Sequence, residues 1–152
     1  MNRENSQTNK LGGNFDGGLS PTEMGQMLEA QALYLRGVAY RINKDYAQAR
    51  TTFEQAIKAA EAIREGKVRA ADGLRAQVQS DLALIARAEG NNAEAERLLS
   101  ESVSYTEARQ PNTATALAAK ARFAGFLVSE NQGDRRSEEH TSELQSLAYL
   151  VC

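Results

Sequence analysis

The chain is poor in the residues that usually advertise chemistry: in 152 residues it has one histidine, one cysteine, two prolines and no tryptophan. A lone cysteine excludes an internal disulfide, and His140 with Cys152 as its only soft neighbour cannot complete a structural zinc set. The pattern calls for no cofactor or metal. Charge of one sign is also lacking. Eighteen Lys and Arg stand against twenty Asp and Glu, so the clustered basic excess that phosphate binding needs is missing, which argues against nucleic acid and against an anionic membrane surface as partners. No run approaches the roughly 18 apolar residues of a spanning helix. Met1–Gly18 lacks the apolar stretch of a signal peptide. No compartment is encoded, and cytoplasmic is the default expectation.

What is present is helical periodicity. The segment 1–19 is rich in Asn, Gly, Ser and Gln and is expected to be a flexible leader, because it carries too little apolar surface to offset its ordering entropy. Its Gly12–Gly18 run follows no strand and precedes no Gly-Lys-Ser/Thr, so it lacks the context of a phosphate loop. From Ser20 the order N-cap, first-turn Pro21, Glu23 opens a helix with a capping box. Asp45 with Gln48, and Asn91 with Glu94, repeat the signal. Gly66 and Gly90 mark helix ends, and Pro111 stops the helix before it.

The resulting expectation is an all-α chain with helices over about 20–43, 45–65, 67–89, 91–110 and 112–131, the last capped by Gly133. The apolar stripes predicted to face inward are Leu28, Leu35, Ala39 and Ile42 on the first helix, and Ala49, Phe53, Ala56, Ala60 and Ile63 on the second. Leu74, Val78, Leu82 and Ile85 follow on the third, and Ala95, Leu99 and Val103 on the fourth. The fifth carries Leu117, Phe123, Phe126 and Leu127 with no helix after it to cover them, so exposed apolar surface and self-association through that end are expected.

Residues 45–57 overlay 91–103 at an offset of 46, matching Ala47/Ala93, Ala49/Ala95, Phe53/Leu99 and Ile57/Val103, and Gly90-Asn91 recurs as Gly133-Asp134 at 43. Repeats on this scale build stacked helix pairs. Gly37, Tyr40, Ala49, Phe53 and Ala56 fall at the spacing of the tetratricopeptide repeat family, which the chain resembles from about Leu28 to Asp134; Ala83 and Ala86 stand where the first repeat has Gly37 and Tyr40. The resemblance implies antiparallel helix pairs stacked as a short right-handed solenoid, with a protein or peptide bound on a concave face lined by the first helix of each pair. Aligned to that family, the face holds Gln31, Tyr34 and Arg41, then Gln77, Ser80 and Arg87, then Lys120 and Phe123. Three cations and two aromatics between amide donors suit an acidic or carboxylate-ended peptide. The slots that hold Lys and Asn in the family's chaperone-tail clamps are Tyr34 and Val38, which argues against that clamp.

Two further likenesses bear on the extent of the domain. Leu19-Ser-Pro, Ala30–Gly37, Leu74–Val78 and Ala121–Leu127 resemble the repeat region that precedes bacterial CHAT domains, which are similar to caspase-like peptidases; no residue here corresponds to their catalytic His and Cys. Arg136–Ser146, and Leu150-Val-Cys152 in register after it, resemble translated sequencing adapter, so 136–152 is expected to be a non-native tail and the rest a fragment. Setting the tail aside removes one Arg and three Glu, taking basic residues from 18 to 17 and acidic from 20 to 17, and takes with it the only His and Cys. Carboxylate pairs such as Glu94 with Glu96 and Glu61 with Glu65 sit at surface-type positions beside Arg, and the tyrosines at 34, 40, 46 and 105 fit packing roles. The leading expectation is a non-catalytic interaction scaffold. Its alternatives are the regulatory arm of a CHAT-type peptidase and a self-stacking structural element.

Overall fold

A computed structural model describes the backbone of residues 18–151 and the side chains of 18–132. The expected leader, apart from its last two residues, and the side chains of the expected tail, His140 and Cys152 among them, lie outside the described residues. Five α-helices follow one another: α1 Pro21–Ile42, α2 Tyr46–Ala62, α3 Arg69–Ala88, α4 Asn92–Arg109 and α5 Ala114–Val151, with a 3-10 turn at Ile63–Gly66. The described residues are all-α. α1 pairs with α2 and α3 with α4, and α5 packs chiefly on α4.

Local sequence explains most of the boundaries. Ser20 accepts from the Glu23 amide at 3.1 Å while the Glu23 carboxylate accepts from the Ser20 amide at 3.1 Å, completing the expected capping box. Asp45 and Asn91 cap α2 and α4 from one side only, through the amides of Gln48 and Glu94. At Asn91 the reciprocal bond is missing because Arg97 engages the Glu94 carboxylate, Nε at 2.8 Å and Nη2 at 2.6 Å. The two turns within the pairs share one geometry. Asp45 donates to the Tyr40 carbonyl and Lys44 to Arg41; Asn91 donates to Ala86 and Gly90 to Arg87, the same pattern 46 residues on. Each needs a left-handed residue at the corner, supplied by Gly90 (φ 79°) and, against propensity, by Lys44 (φ 63°).

The loop between the pairs is tighter than a single glycine cap. Arg64, Glu65 and Gly66 are all left-handed, with φ of 48°, 53° and 76°. This ends α2 at Ala62 and turns Arg64 back onto the start of α1, where Nε and Nη2 each donate to Glu23 at 2.7 Å and Nη2 also reaches the Gly18 carbonyl. The guanidinium, with help from the Ser20 amide, lowers the Glu23 pKa to about 2.

The residues expected inward on the second helix are buried: Ala49, Phe53, Ala56 and Ala60 of α2, and Ile63 at the start of the 3-10 turn, are each at most 1 % exposed. In α3, Leu74, Val78 and Ile85 are buried and Leu82 is half-buried. In α4, Ala95 and Leu99 are buried, but Val103 is half-buried and the inward positions pass to Ser102 and Thr106.

Two expectations are corrected. The stripe assigned to the core of α1 is the wrong one: Leu28, Leu35 and Ile42 are 61 %, 64 % and 66 % exposed, Ala39 is exposed, and Met27, Ala30 and Gly37 are buried instead. The reason is steric. A Cβ on Gly37 would lie 2.5 Å from Cδ1 and Cε1 of Phe53, so α2 comes too close to admit large residues on the facing side of α1. At an offset of 46, Leu28, Ala32, Leu35 and Ala39 correspond to Leu74, Val78, Asp81 and Ile85, the face α3 buries on the first pair; among the described residues α1 has no earlier pair to cover it. Gly133 does not cap α5 either, because the helix runs on to Val151. One interior glycine costs only about 1 kcal/mol, and the Glu, Leu, Gln and Arg that follow favour helix with no proline to stop it. On α5, Leu117 and Leu127 are exposed as expected, together with Val128, but Phe126 is buried and Phe123 half-buried against α3 and α4, beside the buried Ala116 and Ala119.

In the second repeat Ala83 and Leu99 share a core cluster where the first has Gly37 and Phe53. Gly37→Ala should therefore destabilise the fold by roughly 1–3 kcal/mol through overpacking. Phe53→Leu in the same chain should recover part of that loss, and a denaturant-based double-mutant cycle checks it; strictly additive effects would contradict the close-approach account.

Candidate functional site

The first helices of successive pairs, α1, α3 and α5, form one face of the stack, and two buried carboxylates on α3 organise it. Asp81 accepts from the Tyr34 hydroxyl at 2.8 Å and from Arg41 Nε at 2.9 Å, binding α3 to α1. Tyr34 also packs near Phe53, ring centroids 6.0 Å apart. Burial, then the bond to Asp81, raises the Tyr34 pKa to about 12. Asp72 accepts from Arg109 Nε at 2.8 Å, Gln110 Nε2 at 2.6 Å and the Tyr105 hydroxyl at 3.1 Å, closing α3 on the end of α4. Arg75 and Arg109 lie 4.1 and 5.4 Å from the Tyr105 ring centre. The phenol is pushed up by burial and by the Asp72 charge. Each oxygen of both carboxylates accepts from an internal donor, which suits them to holding helices together rather than to moving protons.

The step from α3 to α5 is open. Two cavities of about 200 and 220 Å³ lie along it and meet at Arg122. The first is walled by Ser80, Leu84 and Arg87 of α3 and by Gly125, Phe126 and Ser129 of α5, over Leu99. The second is walled by Gly73, Ala76 and Gln77, facing Ala114, Thr115 and Ala118.

The eight residues placed on this face from sequence divide accordingly. Gln77, Ser80 and Arg87 line the groove. Gln31 is exposed on α1. Tyr34 and Arg41 are held by Asp81. Lys120 pairs instead with Glu107 of α4, and Phe123 packs into the second core cluster. The last two miss the groove because the offset of 43 was taken from a turn at Gly133 that does not form. An offset of 45 aligns the buried sides of the helices, Ala71/Ala116, Leu74/Ala119, Val78/Phe123 and Asp81/Phe126, and then Arg122 and Gly125 become the counterparts of Gln77 and Ser80. Asp81 was overlooked although it carried a signal, an acidic residue within the apolar stripe of α3. Arg122 carried none until the register was known.

Of the carboxylate pairs noted above, Glu94 binds Arg97, Glu61 binds Arg75 at 2.6 Å, and Glu65 lies 3.7 Å from Lys67. Among the described residues there is no group of three or more His, Cys, Asp or Glu able to hold a metal ion. No helix among them is long and apolar enough to cross a membrane.

This architecture, helix pairs in series with the first helices forming one recessed face, defines a helical-repeat protein. Residues 30–63 match the family model of the tetratricopeptide repeat, so α1 from Ala30 onward, α2 and the start of the following turn constitute one such repeat. No curated protein and no solved structure matches the chain.

The Tyr34–Asp81 bond has a measurable pH signature. A phenol that ionises near 10 in the unfolded chain but near 12 in the fold contributes stability that is complete below pH 10 and is lost as pH rises through about 12. Tyr34→Phe should flatten that part of the alkaline decline in the urea midpoint; a slope identical to the parent's would contradict the assignment.

Proposed function

We propose that residues 20–132 form a non-catalytic scaffold that recognises a protein or peptide along the face made by α1, α3 and α5. The family of the matched repeat points the same way, since tetratricopeptide repeats typically mediate protein–protein interaction. The observation that carries the reading is the pair of cavities between α3 and α5 that share Arg122, one lined by small and polar residues such as Ala76, Gln77 and Thr115 and the other by Ser80 and Ser129 over Leu84 and Phe126, with Arg122 lacking a carboxylate partner among the described residues. Small walls admit a main chain, and Gln77, Ser80 and Thr115 offer hydrogen bonds to its amides. The first step, sealed by Asp81, serves as the rigid base.

Peptides selected by panning on the full chain should shift backbone amide resonances of α3 and α5, and of the adjoining face of α1, more than those of α2. Shifts concentrated on α2, or failure of any selected peptide to bind, would reject this reading.

A further inference from the structure

The two steps of the stack are built from corresponding residues and filled differently. In the first, Arg41 and Tyr34 both serve the Asp81 carboxylate. In the second, their counterparts 46 residues on are Arg87 and Ser80, and Phe126 stands in the place of Asp81. Arg87 thus keeps its charge but has no buried carboxylate in the place of Asp81. Its guanidinium carbon lies 5.7 Å from the Phe126 ring centre, and its nearest acidic oxygen, on Glu130, is 3.8 Å away while that residue's other oxygen accepts from Asn92 at 2.9 Å. Ser80 fills far less space than a tyrosine, and the cavity of about 200 Å³ is the result. Arg122, at the junction of the two cavities, makes no hydrogen bond or ion pair among the described residues.

We propose that this groove binds an extended acidic peptide segment, a side-chain carboxylate engaging Arg122 and Arg87 while a neighbouring apolar side chain fills the cavity over Leu84, Leu99 and Phe126. The proposal rests on the scaffold reading above and adds the class of peptide. Charge supports it: two guanidiniums border one groove, and a guanidinium fork is matched by a carboxylate. Shape supports it too. A cavity lies on each side of Arg122, which suits an extended chain occupying both, with the carboxylate on a Glu or Asp side chain rather than at a chain end. The molecule itself supplies the precedent, because Asp81 already lies between the first helices of two pairs, bound to an arginine and a hydroxyl.

Gly125 provides a test that leaves the core alone, since a Cβ added there meets no atom within 4 Å. Three fluorescein-labelled peptides are compared by anisotropy on the full chain: Gly/Ser-flanked Glu-Leu-Glu with both ends blocked, its Gln-Leu-Gln counterpart, and a neutral Gly/Ser peptide ending in a free leucine carboxylate. The blocked acidic peptide should bind at least about tenfold more tightly than the glutamine peptide. Gly125→Asp, which places an internal carboxylate beside Arg122, and Arg122→Ala should each weaken it by about tenfold or more, with Gly125→Asp weakening it more than the equally sized but neutral Gly125→Asn. Melting temperatures of the Gly125 variants, read alongside, show that the fold is retained. Equal binding of the acidic and glutamine peptides, undiminished binding by folded Gly125→Asp, or tighter binding of the free-carboxylate peptide would overturn the proposal. If panned peptides still map to α3 and α5 under those outcomes, the scaffold reading survives and only the acidic preference is lost; if no peptide binds at all, both fall.

Discussion

The buried carboxylate of Asp81 is the constraint on which the arrangement of the stack depends. A charge at a site 7 % exposed is costly to desolvate and is tolerated only where donors are fixed in place. Tyr34 and Arg41 meet that condition from positions two turns apart on α1, so the bonds set both the separation and the rotational register of α1 against α3. The register then decides which face of α1 meets α2, and there Gly37 lets Phe53 come within a distance no other residue would permit. Removing one partner of such a buried pair costs more than the pair contributes, because the remaining charge has nowhere to go.

On the other side of the same helix, Asp72 plays a matching part. It is 2 % exposed and gathers Tyr105, Arg109 and Gln110, fastening α3 to the last turn of α4. α3 is therefore the central member of the stack, tied on one side to the preceding pair and on the other to its own partner. Among the described residues α5 has no buried carboxylate facing α3; its half-exposed Glu130 lies 3.8 Å from Arg87. It rests on α4 through Phe123 and Phe126, and against α3 it leaves the groove. The same difference leaves Arg87 with the half-exposed Glu130 as its carboxylate partner and Arg122 with none among the described residues.

Much of this was legible in the sequence, for identifiable reasons. Where a short cap signal stood next to strict periodicity, as at Ser20, Asp45 and Asn91, helix starts fell within two residues of expectation. The face of α2 was legible because its inward residues are small or aromatic and its outward ones polar. α1 has two apolar faces, and periodicity alone favoured the larger residues over the small ones that close approach requires. The corner at Lys44 was hidden because lysine gives no left-handed signal, although Gly90 at the same place in the next repeat does. Gly133 misled in the opposite sense: a glycine was taken for a cap where the flanking helix formers carry the helix through it, and the offset of 43 drawn from it set Lys120 and Phe123 against Gln77 and Ser80, where the buried sides of the helices align Arg122 and Gly125. Asp81 and Asp72 show a further limit. A carboxylate in an apolar stripe indicates a buried partner, but which tyrosine and arginine supply it depends on helices 40 residues or so apart in sequence.

The central claim is that a buried carboxylate closes the first step of the stack and that the second step lacks one. Native-state hydrogen exchange on the parent and on Asp81→Asn tests it most directly. The account predicts that in the parent α1 to α4 exchange through one common opening while the part of α5 facing α3 opens at lower free energy, and that Asp81→Asn separates α1 and α2 from α3 and α4 into two opening units. Uniform protection across all five helices in the parent, unchanged in pattern by Asp81→Asn, would contradict it.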